Sequence, residues 1–294
     1  MGTSSPMKKK RFIRLLAAFW VLLAGYAWLG EPNRLVVRRV VIRDATLARA
    51  WPGLSIIHLS DTHIEHLGPR EERLLTVIKG LAPDLIVLSG DFKQWLKDPG
   101  PAQQFLAQLS APLGVYGVLG DADRAISSAK GCAYCHPGDR YNERLAHPVL
   151  LRNEVRQIEY GDRRIYIAGI DLKEEEANDE WRRQLLGKES RDRQPLLIVS
   201  HRSEFWRDTP LGVPLLWLSG DTHGGQLRLP DWLWRLVPYK PDPEHMGGVY
   251  NNAHGGWLVV NRGVGTTARF PFRLGVPPEI LLITFADSEG GGER

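Results

Sequence analysis

Short apolar runs, each closed by polar residues, organise this chain. "RLVVRRVVIR" (34–43) alternates branched and basic positions, the two-residue period of a half-exposed strand. "LSIIHLSD" (54–61), "DLIVLSGD" (84–91) and "LGVYGVLGD" (113–121) are buried strands by the same reading. Between them, "PREERLLTVIKGL" (69–81) and "PAQQFLAQL" (101–109) carry the helical period and a proline at the first turn. The second half repeats the scheme. "RRIYIAGID" (163–171), "PLLIVSH" (195–201), "PLLWLSGD" (214–221), "GWLVVNRG" (256–263) and "EILLITFA" (279–286) are strands, and "EEEANDEWRRQLL" (174–186) is a helix. Strand–helix alternation of this kind predicts parallel pairing with helices outside, a layered α/β protein with two sheets.

The N-terminus has a different pattern. "MKKKRFIRLLAAFWVLLAGYAWLGEP" is basic and then apolar, with 16 uncharged residues between Arg14 and Glu31. Spanning a bilayer takes about 20 apolar residues; Phe12 and Ile13 extend the run, and Arg14 can snorkel to the headgroups. An uncleaved anchor, a signal peptide cleaved after Ala27 and a buried helix are the three readings. Trp20, Tyr26 and Trp28 suit a membrane interface. The basic cluster before the run predicts an N-terminus in the cytoplasm and a domain on the outer face. The domain layout is a basic start (1–11), an anchor or signal segment (12–30), a linker with the first strand (31–50), one large domain (51–287) with an insertion at about 125–148, and a polar tail (288–294).

Composition adds exclusions. Charged residues make up 24% and hydrophobic residues 43%, a globular balance. The net charge of +4 is supplied by Lys8, Lys9, Lys10, Arg11 and Arg14 at the start, so the rest is nearly neutral and no nucleic-acid partner is expected. Walker loops, nucleophile elbows and dinucleotide fingerprints are absent from the sequence.

The strand ends carry the chemistry. They read "LSDTH", "LSGD", "LGDAD", "IVSH" and "LSGDTH". Open α/β sheets bind ligands beyond the carboxyl ends of their strands. Asp61, His63, Asp91, Asp121, His201, Asp221 and His223 are therefore candidates to converge on one metal site. The order Asp61-Thr62-His63, Gly90-Asp91, Gly120-Asp121-Ala122-Asp123, His201 and Gly220-Asp221-Thr222-His223 resembles the calcineurin-like metallophosphoesterases. The family pattern is Asp-x-His, Gly-Asp, Gly-Asn-His-Asp/Glu, a lone His and Gly-His-x-His. The resemblance covers about 50–285. Through "THGGQLRLP" and "NRGVGTTARFPFRLGVPPEILLITF" it looks like the branch of bacterial membrane-associated phosphodiesterases and UDP-diacylglucosamine hydrolases. It implies a four-layer αββα sandwich and two divalent or mixed-valence ions, of manganese, iron or similar type. A phosphorylated small-molecule or lipid substrate is implied as well. By resemblance Asp91 bridges the ions; Asp61, His63 and His223 complete one site, and Asp121, His201 and Asp221 the other.

Three positions depart from that pattern. Asp121 replaces an Asn and Asp221 a His, so both remain ligand types, and carboxylates favour harder cations such as Mn²⁺, Mg²⁺, Ca²⁺ or iron. Two added carboxylates turn the site toward net negative charge. One unit charge about 5 Å away is worth roughly 3 kcal/mol at an effective dielectric of 20, so Arg124, Arg202 and Arg262 are candidates for compensation. Ala122 replaces a His that helps protonate the leaving group, a loss of roughly 10²–10⁴-fold for an alkoxide and less for a nucleotide phosphate. That tilts the substrate toward a pyrophosphate linkage. Asp123 is either a substitute acid or a helix cap. Asp91, Asp123 and Arg262 are the residues expected to act in catalysis.

"GCAYCHPG" places Cys132, Cys135 and His136 in the pattern of c-type haem attachment. A disulfide or redox pair, a haem c and a zinc site are its three readings. "PDWLWRLVP" (230–238) reads as a lid toward a lipid substrate or as ordinary packing. His245 and His254 read as loop residues and His58 as core. Two other classes use the same features. One is a binding module that keeps the fold without turnover, for which Asp121, Ala122 and Asp221 speak. The other is a redox protein built on the cysteine pair. Metal stoichiometry separates the first from an enzyme, and a visible spectrum the second.

Overall fold

The apolar runs resolve into two six-stranded sheets in a computed structural model that describes residues 6–124, 147–170, 194–204, 206, 214–230, 233, 244–252, 255–267 and 270–287. Helix α1 (Pro6–Gly25) continues into a π-turn (Tyr26–Gly30) and a 3₁₀ turn (Glu31–Asn33). The stretch Lys9–Asn33 is long and apolar enough to cross a membrane, and only 6% of its apolar window is buried.

β1 (Val36–Arg43) pairs in parallel with the last strand, β12 (Glu279–Ala286), so the two ends of the domain close one sheet. β12 runs antiparallel to β2 (Ile56–Leu59), which continues in parallel through β3 (Leu85–Leu88), β4 (Val115–Gly117) and β5 (Val149–Leu150). The second sheet has the order β10 (Gly248–Asn251), β11 (Gly256–Val260), β9 (Leu215–Ser219), β8 (Leu196–Ser200), β7 (Arg163–Ile170) and β6 (Glu154–Tyr160). Its four central strands are parallel, and β10 and β6 close the edges antiparallel.

Three apolar layers hold this together. Ile42, Ile56, Leu85 and Val87 of the first sheet meet Ile165, Ile167, Leu197, Val199, Leu216 and Leu218 of the second, all buried. The other face of the first sheet packs on α3 (Pro69–Leu81) and α4 (Gly100–Leu106) through Leu74, Ile78, Phe105 and Leu106. The outer face of the second sheet buries Ile198, Trp217, Leu258 and Val260. Near-continuous apolar strands are what covering on both faces requires. The helix predicted at 174–186, which would supply the fourth layer, lies outside the described residues, as does most of the 125–148 insertion.

Local sequence explains the helix that matches its predicted bounds. α3 begins at Pro69, where a missing N–H costs nothing, and Glu71 accepts the N–H of Gly68 at 3.1 Å. It stops at Ala82, held left-handed at φ 45°, before Pro83. The short α2 (Ala45–Ala50) was not predicted. Asp44 caps it, accepting from Thr46 N at 2.8 Å and Leu47 N at 3.0 Å.

Candidate metal centre

Strands β2, β3, β4, β8 and β9 all end at one edge of the sandwich, and their following residues interlock. Asp61 N donates to Gly90 O at 3.0 Å, His63 N to Asp91 O at 3.0 Å, Gly220 N to His201 O at 2.9 Å and Asp221 N to the Asp61 carboxylate at 3.1 Å. Space there is tight. A Cβ on Gly120 would collide with Asp91 Oδ1, and one on Gly220 with Ser60 Oγ and Asp61 Oδ2. Five non-glycine residues with positive φ are candidate ligands: Asp61 (48°), His63 (41°), Asp91 (56°), Asp221 (68°) and His223 (50°). They are five of nine such residues among those described. Each costs on the order of 1–3 kcal/mol, so this turn geometry is held in place by its surroundings.

Side chains from those turns converge. His63 Nε2 faces His223 Nε2 at 3.1 Å, with the rings stacked at 5.0 Å. His63 Nε2 lies 3.4 Å from Asp91 Oδ2, and His223 Nε2 lies 3.5 Å from Asp61 Oδ1. On the other side His201 Nε2 lies 3.5 Å from Asp91 Oδ1 and 3.5 Å from Asp221 Oδ1. Two buried donor sets result, Asp61–His63–His223 and Asp61–Asp91–His201, each with its ligand atoms within 4.8 Å of one another. Asp61 Oδ1 and His201 Nε2 are buried and lack a hydrogen-bond partner. Imidazole and carboxylate donors left open inside a buried cluster fit divalent metal ions. His201 is oriented with Nε2 toward the cluster, since its Nδ1 donates to Ser89 O at 2.7 Å.

Burial and charge set the protonation of the metal-free site. Burial alone would lower the pKa of His201, but Asp91, Asp61 and Asp221 override it and raise it to about 10. Burial lowers His63 to about 3, helped by His201 and Arg273, so that ring is neutral. Burial raises Asp61 to about 7, with Asp91 adding to the rise. A histidine pKa above its unfolded value means stabilisation that is complete below about pH 6.5 and lost as pH rises through about 10. Metal at Nε2 must expel that proton. Metal binding near neutral pH is therefore expected to release protons, and affinity to rise with pH up to about 10. Calorimetric titration in buffers of different ionisation enthalpy measures the release; a value of zero would mean that His201 is already neutral at Nε2 before metal binds.

The remaining expected residues are placed less uniformly. Asp121 opens α5 (Asp121–Arg124) and pairs with Arg202 Nη2, standing aside from both donor sets. Asp123 is fully buried, and its oxygens accept from the backbone N–H groups of Asp91 (2.8 Å), Phe92 (2.8 Å), Lys93 (3.3 Å) and Gly120 (2.9 Å). That geometry gives it the work of fixing the Asp91 turn, where the sequence suggested an acid or a cap. Arg262 is tied to Glu279 Oε2 at 3.4 Å and to Gly247 O at 3.2 Å. His58 is core as expected, with Nε2 2.9 Å from Ser89 Oγ. His245 is buried edge-on against Trp206 and Tyr250. Cys132, Cys135 and His136, His254 and most of "PDWLWRLVP" lie outside the described residues.

Two residues that hold the site escaped the sequence reading. Arg273 is fully buried, donates to the carbonyls of Gly265, Val276, Arg262 and Gly263, and approaches His223 Nδ1 at 3.3 Å. Burial lowers its pKa to about 10. Its signal was one arginine in the apolar stretch "FPFRLGV". Gln226, the last residue of "THGGQ", is buried, donates to Phe272 O at 3.0 Å and accepts from Thr267 N at 3.0 Å.

With this geometry in hand, comparisons point one way. The model of the family described as calcineurin-like phosphoesterase matches residues 54–225. The chain is 28% identical over 276 residues to a metallophosphoesterase of Aquifex aeolicus, covering 90% of this chain and 96% of that one. It is 27% identical over 307 residues to the UDP-2,3-diacylglucosamine pyrophosphatase LpxG of Chlamydia trachomatis, covering 86% and 90%. To the phosphodiesterase YaeI of Escherichia coli it is 26% identical over 296 residues, covering 94% and 98%.

Proposed function

This chain belongs to the calcineurin-like phosphoesterase family, and from that membership we propose that it hydrolyses a phosphodiester or pyrophosphate bond of a lipid-linked or UDP-linked substrate at a membrane surface. The observation that carries this is the position of Asp91. One of its oxygens faces His63 and the other faces His201, so this carboxylate reaches the histidines of both donor sets, with Asp61 a member of each. Asp61, His63 and His223 would hold one divalent ion, and His201 and Asp221 a second, with Asp91 common to both. Such ions supply a nucleophile at neutral pH and positive charge on the phosphoryl oxygens.

The altered positions refine the reading. Arg202 pairs with Asp121, which cancels within the fold one of the two negative charges added at 121 and 221. Asp221 stays turned toward His201 and is the added carboxylate that would serve as a ligand. Ala122 is buried, and its N–H donates to Asp91 Oδ1 at 2.8 Å, steadying that carboxylate while offering no proton to a leaving group. A leaving group that is already a good anion, such as a nucleotide phosphate, suits this site. LpxG is a pyrophosphatase and YaeI a phosphodiesterase, the same two bond types. The apolar N-terminal helix would anchor the chain, with the basic start in the cytoplasm and the catalytic domain on the outer face.

The test is elemental metal content of the full chain purified without chelator, followed by hydrolysis of a UDP-diacylglucosamine and of bis(p-nitrophenyl) phosphate. Two ions per chain are expected, with faster cleavage of the pyrophosphate to UMP and the sugar 1-phosphate. Asp221→Ala is expected to retain the first ion and lose the second. One ion in the unaltered chain after excess manganese or iron would overturn the two-ion reading, and two ions without turnover of either probe would favour a binding module.

A further inference from the structure

We infer that Leu67, Trp95, Leu96 and Phe270 form an apolar rim beside the metal centre that rests in the headgroup region of the bilayer holding α1. This deepens the membrane-surface reading above and rests on it. Outside the N-terminal helical segment, six large hydrophobic residues are exposed among those described: Val41, Val249 and these four. The four sit on segments bonded to one another around the site. Ile64 bridges Lys93, and Lys97 pairs with Glu65 at 2.6 Å, joining the loops that follow His63 and Asp91. Gln94 donates to Thr266 O at 3.0 Å, and Thr267 bridges Phe270. Phe270 packs edge-on to Phe272 at 5.4 Å.

The chain of contacts ends on the membrane segment itself. Phe272 lies 6.3 Å from Trp28, and Arg273 N donates to Ala27 O at 2.9 Å. Ala27 and Trp28 fall inside the apolar stretch Lys9–Asn33. The catalytic domain therefore touches the end of the span with no linker between, at the depth where tryptophan collects in bilayers. Leu96 adds a second sign. It holds φ at 58° with 52% of its surface exposed, an unfavourable backbone state that presents a large apolar side chain outward. A water-facing loop gains nothing from that arrangement; a lipid-facing one does.

The experiment uses the full chain in phosphatidylcholine vesicles, with and without bromine on the upper acyl carbons, as wild type and as Trp95→Phe. Subtracting the two emission spectra isolates Trp95. Brominated lipid is expected to quench that difference spectrum, and Leu96→Asp to relieve most of the quenching while leaving hydrolysis of the soluble bis(p-nitrophenyl) phosphate unchanged. Quenching of the remaining tryptophans, Trp20 and Trp28 among them, with an unquenched Trp95 component would overturn the rim and leave the anchor standing. Absence of all quenching would overturn the anchor reading and the rim with it.

Discussion

Asp91→Asn is expected to lower hydrolysis by roughly 10³-fold or more, because it strips negative charge from the carboxylate whose two oxygens face His63 on one side and His201 on the other. Asparagine is the sharper replacement than alanine. It tolerates the left-handed backbone at 91, where φ is 56°, and can still accept the N–H of Ala122. The turn is thus preserved, and what changes is charge. Stability should move the other way. Burial raises the Asp91 pKa in the metal-free protein, with Asp221 and Asp121 adding to the rise against His201, so the carboxylate is an unfavourable presence there. Metal-free Asp91→Asn is expected to melt at or above the wild-type temperature while its metal content falls below two ions per chain. Activity lost together with the fold, at a lowered melting temperature, would mean that Asp91 serves structure and would remove the bridging assignment. This opposition of activity and stability is what strained functional sites produce.

The fold was legible wherever burial was two-sided. Strands β3, β8 and β9 are apolar runs in the sequence, the last two closed by a serine, and are buried at every position in the structure. β6 escaped because "EVRQIEY" buries a single residue, Ile158, and is otherwise a polar edge. β10 is likewise an edge, entered through Gly247 and Gly248 at φ 147° and 129°, with no buried position. The candidate ligands were legible for a related reason: a strand end is fixed by its apolar run, and the residues just beyond it must lie at the sheet edge. Partnerships formed across the chain were not legible. Arg202 was one of three candidate arginines, and only its placement beside Asp121, 81 positions away, singles it out. Arg273 lies 50 positions from His223, and nothing local in "FPFRLGV" says that its guanidinium gathers four carbonyls.

Asp123 is where local reading and tertiary structure part most, and its replacement has the largest expected effect on stability. Asp123→Ala would leave buried N–H groups of Asp91, Phe92, Lys93 and Gly120 without their acceptor. Each buried donor left unmade costs about 1–3 kcal/mol. Relaxation recovers part of that sum, so a net loss of roughly 3–5 kcal/mol is expected, a large share of a typical domain's stability. The Asp91 turn should loosen with it, and metal should be lost. Asp123→Asn tests the role itself. Burial, and after it Asp91, raises the Asp123 pKa to about 7, a value that would also suit a general acid. An acid is needed by poor leaving groups and not by p-nitrophenolate. A residue that fixes the Asp91 turn is needed by every substrate, because it acts through Asp91. Asp123→Asn is therefore expected to melt at a lower temperature and to lose activity equally on p-nitrophenyl and alkyl diesters. If the variant melted like wild type and lost only the alkyl substrate, Asp123 would be the acid, and its hydrogen bonds to the turn would be incidental to catalysis.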